Sequence, residues 1–120
     1  MKILEVEKEG YQTVHTFENG DGWRIGLISG AEQFTEEGMT YMERHNLTDE
    51  VFLLLKGEAV LLIGAQKHPV QMEKGKAYNV EQGQWHNIIL GEDAIVAVVE
   101  NKNTGKEAHS NTKSAPKSTP

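Results

Sequence analysis

Cysteine is absent from the 120-residue chain, and long apolar runs are absent as well. Without cysteine there is no disulfide framework, and thiolate metal sites and cysteine nucleophiles are excluded. Any bound metal must therefore sit on nitrogen and oxygen ligands. No run approaches the ~18 apolar residues of a membrane span, and the start, MKILEVEKEG, lacks the apolar stretch of a signal peptide. We expect a cytoplasmic protein with no membrane partner.

Positive charge is scarce in the body of the chain. Residues 1–100 hold 8 Lys or Arg against 17 Asp or Glu, whereas residues 101–120 hold four Lys and one Glu. An acidic body repels a phosphate backbone, so we expect no nucleic-acid partner. The length predicts a single domain. We place this domain at 1–100, with its core in 23–100, and expect a polar, flexible tail over 101–120 because nothing there can anchor a core.

Short β-prone segments make up most of the chain, and turn residues rich in glycine separate them. Turn signals recur about every ten residues, which indicates an antiparallel sandwich or barrel. The segment AEQFTEEG at 31–38 is also compatible with a short helix. The predicted strands are 11–17, 23–29, 39–45, 51–55, 59–64, 68–72, 77–80, 86–90 and 94–100.

Two of these segments, VFLLL at 51–55 and AIVAVV at 94–99, are apolar on both faces. In an antiparallel sheet this pattern means that the second face is covered too, by another sheet or by a partner subunit. For so small a chain we expect a homodimer.

Acidic and imidazole side chains lie just ahead of VFLLL. Side chains alternate faces along a strand, so Glu43 and His45 point the same way in the predicted strand 39–45. After a short turn, Glu50 opens the next strand and can come level with His45 across the ladder. His86 begins another strand after the turn EQGQ. Glu43, His45, Glu50 and His86 are therefore the candidate metal ligands.

The spacings around these residues form two patterns. They are His45, four residues, Glu50, six residues and Gly57, and then Gly75, five residues, Glu81-Gln82-Gly83, two residues and His86. The first resembles the latter part of the first cupin motif, and the second resembles most of the second cupin motif. The resemblance is to the small single-domain cupins and covers roughly 38–100.

The resemblance implies an all-β fold, an antiparallel cupin-type β-barrel of the double-stranded β-helix or jelly-roll kind. Such proteins usually dimerise and hold one divalent metal. This chain departs from the pattern where Glu43 replaces a usual His, where Gly38 stands one residue closer than usual, and where Glu81 and Leu90 replace a usual Pro and Asn. The carry-over to His45, Glu50 and His86 is therefore firmer than that to Glu43.

Two imidazoles and one carboxylate leave open positions on an octahedral ion, and Glu43 as a second carboxylate would neutralise a divalent cation. We expect one divalent ion per subunit, with Mn, Fe(II) and Zn not distinguished by the sequence. The alternatives are that the two histidines are hydrogen-bonded residues of a cupin without an ion, that Glu43 is a solvated or salt-bridged residue, and that Glu50 is an exposed turn acid.

A pocket built around these ligands would have apolar walls and take a small organic anion or polyol. We expect Met39, Tyr41, Phe52, Leu54 and Ile88 to face it, with Tyr41 as the candidate catalytic residue, moving a proton or orienting a hydroxyl. Alternatively, Tyr41 only packs. Trp85, next to His86, is expected on the opposite face, between sheets or at a dimer contact.

Three function classes fit this pocket. The first is a metal-dependent isomerase, epimerase or lyase acting on a small sugar acid or another oxygen-rich metabolite. The second is an Fe(II)-dependent dioxygenase. The third is a binding or sensor protein that holds a small molecule without turnover.

Overall fold

The computed structural model describes residues 1–6, 9–19 and 22–103, and their regular structure is almost entirely β. The strands, numbered in chain order, are β1 (Gly10–Thr16), β2 (Trp23–Ser29), β3 (Glu50–Lys56), β4 (Ala59–Ile63), β5 (His68–Gln71), β6 (Ala77–Val80), β7 (His86–Leu90) and β8 (Ile95–Asn101). Among these residues no helix is long and apolar enough to cross a membrane.

The strands form two antiparallel sheets. The larger has five strands in the order β1-β2-β8-β3-β6, and the smaller has three in the order β5-β4-β7. From β3 onward the chain passes repeatedly between the two sheets, with β3, β6 and β8 in the larger and β4, β5 and β7 in the smaller, which is a jelly-roll arrangement. The expected cupin-type jelly roll is confirmed, as two packed sheets that do not close into a continuously hydrogen-bonded barrel.

The main core lies between the two sheets. Inward side chains of the large sheet, such as Phe52 and Val96, pack against Leu61 and Ile88 of the small one. Leu61 and Val96 are among the most completely buried side chains of the described residues. This packing accounts for the inward apolar face of 51–55 and of 94–99. On the second face of β3, Leu55 is exposed, so the other sheet does not cover that face.

The prediction of a strand over 39–45 is wrong. This segment forms only an isolated antiparallel bridge, between Glu43 and His86. Met39 and Met42 are both buried, three residues apart, and that spacing is incompatible with the two-residue alternation of a strand. The segment instead covers the outer face of the small sheet, where Met39, Met42 and Leu62 form a second apolar cluster.

Trp85 packs against this second cluster, and the guanidinium of Arg44 lies 4.9 Å from its ring centroid. The expectation for 31–38 is met only by one turn of 3-10 helix, Glu32–Phe34, followed by a turn. The last strand continues through Asn101, one residue into the predicted tail, and 104–120 lie outside the described residues.

Candidate metal centre

The candidate ligands come from both sheets and from the connecting segment before β3. Glu50 is the first residue of β3 in the large sheet, and His86 is the first residue of β7 in the small sheet. Glu43 is joined to His86 by two backbone hydrogen bonds, of 2.8 Å from the Glu43 N–H and of 2.7 Å from the His86 N–H. The sequence positions 43 and 86 are therefore fixed side by side by the main chain.

A second set of bonds ties the turn before His86 to the loop after His45. The Gly83 N–H donates to the His45 carbonyl at 2.8 Å, and Gly83 has a positive φ of 80° that favours glycine. Next to it, the Gln82 N–H donates to Asp49 Oδ1 at 2.8 Å and the Gln82 side chain donates to the Asn46 carbonyl at 2.6 Å. The two loops that carry the histidines are thus held together without any contribution from the histidine rings.

Three of the four predicted ligands, Glu43, His45 and His86, form one group, and Glu50 contacts its two histidines. Glu50 Oε1 lies 2.9 Å from His86 Nε2 and 3.7 Å from His45 Nε2. Glu43 Oε2 lies 4.0 Å from His45 Nε2. Glu43, His45 and His86 each bring one ligand atom within 4.8 Å of the others, and Glu50 adjoins this group through both histidines. His45, Glu50 and His86 are buried, whereas the Glu43 side chain is 30% exposed.

The donor set fits a divalent cation. Glu50 Oε1 is buried and, despite lying 2.9 Å from His86 Nε2, makes no aligned hydrogen bond in the described structure. An unsatisfied buried carboxylate oxygen is costly, and a cation between the three atoms would satisfy it. Two ligand atoms each about 2.1 Å from one ion lie roughly 3 to 4 Å apart, which the Nε2–Oε distances match.

One tautomer of His86 suits metal binding. Its Nδ1 lies 3.0 Å from the Gln84 carbonyl, and with hydrogen on Nδ1 that N–H donates to the carbonyl and leaves the Nε2 lone pair facing Glu50. Burial alone would lower the pKa of His86, but the Glu50 carboxylate and the Gln84 carbonyl together raise it. Burial is the main influence on the pKa of His45 and lowers it, and the neighbouring His86 ring lowers it further. A lowered pKa favours the neutral form, which can bind a metal.

The site opens into a cavity of about 210 Å³ between the two sheets. As predicted, Phe52 and Ile88 line it, and Phe34 of the 3-10 turn closes it from another side. Met39, Tyr41 and Leu54 were expected in the lining and are not part of it. Since 39–45 is not a strand, alternation does not apply to Met39 and Tyr41, and Leu54 lies in the main core.

Tyr41 is 37% exposed and stands beside the site rather than in the cavity. The negative charge of Glu43, with partial burial and a hydrogen bond to the same carboxylate, raises the pKa of Tyr41. The Tyr41 carbonyl accepts a hydrogen bond of 2.7 Å from the Asn87 amide, which fixes the backbone there. Its part in proton transfer stays a prediction.

Three polar residues of the large sheet line the cavity and were missed from the sequence: Tyr11, Arg24 and Glu100. Arg24 and Glu100 are direct cross-strand partners on β2 and β8, and Arg24 Nη2 lies 2.9 Å from Glu100 Oε2. Alternation could have found them, because Glu100 shares a face with the core residues Val96 and Val98.

Glu100 lies between the candidate ligands and Arg24. Burial and a hydrogen bond with Glu50 raise the pKa of Glu100 to about 7. Tyr11 donates a hydrogen bond to Glu100, and burial together with the Glu100 charge raises the pKa of Tyr11 to about 12. A buried carboxyl thus connects the candidate metal group to a guanidinium and a phenol.

The sequence matches no protein-family profile and no curated protein. Solved structures do match. A cupin-2 domain containing protein from Shewanella frigidimarina has a TM-score of 0.62 at 15% identity, with 82% of this chain and 85% of that chain covered. FeII HppE in complex with substrate has a TM-score of 0.61 at 14% identity, with 82% of this chain and 56% of that chain covered. The DMSP lyase DddQ from Ruegeria pomeroyi has a TM-score of 0.52 at 16% identity, covering 70% and 40%.

These likenesses establish the fold. The chain is a small domain of the cupin fold, with a His and Glu group inside it that could hold a metal ion. Fold by itself does not fix chemistry, and the same architecture carries a lyase and an FeII protein among these structures.

Proposed function

We propose that the protein binds one divalent metal ion through His45, Glu50, His86 and Glu43. The observation that carries this proposal is the buried Glu50 Oε1 atom, which lies within 4 Å of Nε2 of both histidines and lacks an aligned hydrogen bond. The donor set of two imidazoles and two carboxylates suits Mn, Fe(II) or Zn. Glu43, more exposed than the other three, is the ligand at the open side of the group.

At this centre we propose metal-dependent isomerisation, epimerisation or lyase chemistry on a small oxygen-rich metabolite such as a sugar acid. The ion, when bound, supplies a Lewis acid that polarises a carbonyl or hydroxyl oxygen. Phe34, Phe52 and Ile88 give the cavity apolar walls beside that point. Glu100 and Tyr41 are the residues able to hold or move a proton, Glu100 at its carboxyl inside the cavity and Tyr41 at its phenol beside Glu43.

Two alternatives have support of their own. The likeness to FeII HppE supports an iron(II) ion at this centre, and with it the alternative of an Fe(II)-dependent dioxygenase with Glu43, His45, Glu50 and His86 as its ligands. A cavity of only about 210 Å³ also fits a binding or sensor protein that captures a small ligand without turnover. The likeness to a DMSP lyase supports the first proposal.

We further propose that the protein is a cytoplasmic homodimer. Several apolar side chains in the first part of the chain are exposed, namely Ile3, Leu4, Val14 of β1 and Phe17 just after it. Burying such a surface against a second copy is favourable. Light scattering coupled to gel filtration, which gives the mass in solution, tests this assembly.

Elemental analysis of protein purified without added metal tests the proposal for the metal. About one Mn, Fe or Zn per chain is expected. Three further measurements then distinguish the function classes. Oxygen uptake that depends on Fe(II) identifies an oxygenase, and turnover of a sugar acid without oxygen identifies an isomerase or lyase. A ligand that raises the melting temperature without being converted identifies a binding protein.

A further inference from the structure

The cavity has a second polar end, which adjoins Glu50 of the candidate metal group. It is built by Arg24 of β2, Glu100 of β8 and Tyr11 of β1, three adjacent strands of the large sheet. The only carboxyl between Arg24 and the ligand Glu50, among the described contacts, is that of Glu100. Both groups line the same cavity, so a small molecule bound there has polar partners of both kinds.

Arg24 is held in one orientation. Its Nε and Nη2 atoms both donate to Glu100 Oε2, at 3.1 Å and 2.9 Å, and its guanidinium lies 5.2 Å from the Tyr11 ring centroid. The third nitrogen, Nη1, has no partner among the residues described. The Arg24 side chain is 24% exposed and lines the cavity, so this nitrogen is an oriented donor that a ligand can use.

Gly26 makes room for this arrangement. A Cβ atom at position 26 would overlap the outer ring atoms of Tyr11, whose ring crosses β2 at that point. The absent side chain lets the phenol of Tyr11 reach Glu100, to which it donates a hydrogen bond. The aromatic ring thereby supports the guanidinium from one side, and Glu100 fixes it from the other.

The charges in the cavity complement an acid. The Glu100 carboxyl pairs with Arg24, and the Glu43 and Glu50 carboxylates would offset the two charges of a divalent cation. With Glu100 ionised, the loaded cavity is neutral overall and holds two separate cationic groups, the ion and the guanidinium. An anion with oxygens at both ends matches this distribution, because each end finds a cation.

We propose that the ligand of this cavity is a small dicarboxylic acid, with a 2-hydroxy or 2-oxo acid end at the metal and a second carboxylate at Arg24. This inference rests on the metal site proposed above. The cavity volume of about 210 Å³ lies below the roughly 300 to 1,000 Å³ of pockets for drug-sized ligands, which suits an acid of four to six carbons. Arg24 determines specificity by pairing with the far carboxylate, and Glu100 is the positioning residue that orients Arg24.

A pair of probes that differ only at the far end tests the proposal. Malate and 2-hydroxybutyrate share the 2-hydroxy acid end, but malate carries a second carboxylate where 2-hydroxybutyrate has a methyl group. Titration calorimetry of each into full-length protein loaded with Mn²⁺ measures both affinities. We expect malate to bind at least about tenfold more tightly, a difference of ~1.4 kcal/mol.

Arg24→Gln removes the guanidinium and is expected to bring the ratio of the two affinities close to one. Arg24→Lys keeps the positive charge but lacks the planar set of guanidinium N–H donors, so part of the preference for malate should remain. Lys76→Gln, which removes an exposed positive charge paired with Glu73, is the matched control and should keep the full preference. Comparing the two Arg24 variants separates the loss of the guanidinium from misfolding, because Arg24→Lys keeps a positive charge that can pair with Glu100.

Equal affinities for the two acids in the unmodified protein would overturn the inference, as would a preference for malate that survives Arg24→Gln. Mn²⁺ binding is measured first, by titration without any acid. Protein that binds Mn²⁺ but neither acid contradicts the ligand class and leaves the metal site standing. Protein that binds no Mn²⁺ contradicts the metal site, and the inference falls with it.

Discussion

The backbone N–H of Gly83 donates a hydrogen bond of 2.8 Å to the carbonyl of His45, which joins the turn before His86 to the loop before Glu50. Together with the paired backbone bonds between Glu43 and His86, it sets the positions of the candidate ligands through the main chain. The site is therefore built by the fold before any ion arrives. The predictions on metal binding below depend on this preorganisation.

His45→Ala and His86→Ala should each lower the bound metal per chain at least about tenfold, because each removes a buried ligand. Glu43→Gln should lower it less, since Glu43 is the most exposed of the four and an amide oxygen can still ligate. Elemental analysis after gel filtration gives the ratio. His68→Ala is the control, because His68 is exposed on β5 and lies outside the site. Unchanged metal in both His45 and His86 variants would refute the assignment.

Removing the metal should leave the protein folded but less stable. A ligand present at about 100 times its dissociation constant stabilises the folded state by about 2.7 kcal/mol. For a domain of this size, that corresponds to a shift in melting temperature on the order of 10 °C. Scanning calorimetry with and without a chelator measures the shift. The His86→Ala variant should show none, and an equal shift in that variant would place the stabilising ion elsewhere.

The metal-free protein should lose stability as pH rises through neutrality. Burial and the hydrogen bond with Glu50 raise the pKa of Glu100 from 4.5 to about 7 in the folded state. Because the folded pKa lies above the unfolded value, the protonated carboxyl favours folding. This contribution is complete below pH 4.5 and is lost as pH rises through about 7.

Urea unfolding of chelated protein between roughly pH 5 and roughly pH 9 measures this effect, whose slope is at most about 1.4 kcal/mol per pH unit for one proton. Glu100→Gln is the matched comparison, since the amide cannot ionise. Its unfolding free energy should decline less over the same range. Parallel curves for the two proteins would show that another group is responsible.

Gly26→Ala should displace Tyr11 from its place over β2, because the new Cβ would overlap the outer atoms of that ring. Tyr11 is 41% exposed and can swing outward, so we expect a loss in unfolding free energy of about 1 to 2 kcal/mol, not unfolding. A double-mutant cycle with Tyr11→Ala checks the cause. On the Tyr11→Ala background, Gly26→Ala should cost much less, and purely additive effects would exclude the overlap as its origin.

The β segments were predictable because their patterns are local. Eight of the nine predicted strands form at the expected places, for instance 23–29 as Trp23–Ser29, since alternation and turn glycines specify them within a few residues. The failure at 39–45 has a tertiary cause that the local sequence pattern does not show. Met39 and Met42 both insert under the small sheet, so packing against β4 and β7 overrides the β propensity of the segment.

The candidate site was predictable in part, for a related reason. His45, Glu50 and His86 lie at motif spacings, and the geometry brings them together with Glu43. Arg24 and Glu100 are 76 residues apart in the chain, and they meet only through the pairing of β2 with β8. No spacing rule links such a pair, although the inward position of each follows from alternation.

The ties between the two histidine-bearing loops use peptide groups at Glu43, His45, Gly83 and His86. Peptide groups are the same in every residue except proline, so most substitutions along these loops leave the ties intact. The residues between these peptide groups can therefore change during evolution while the backbone geometry is kept. Proteins can then share a backbone fold at low sequence identity. This is consistent with the structures that resemble this chain at 14–16% identity.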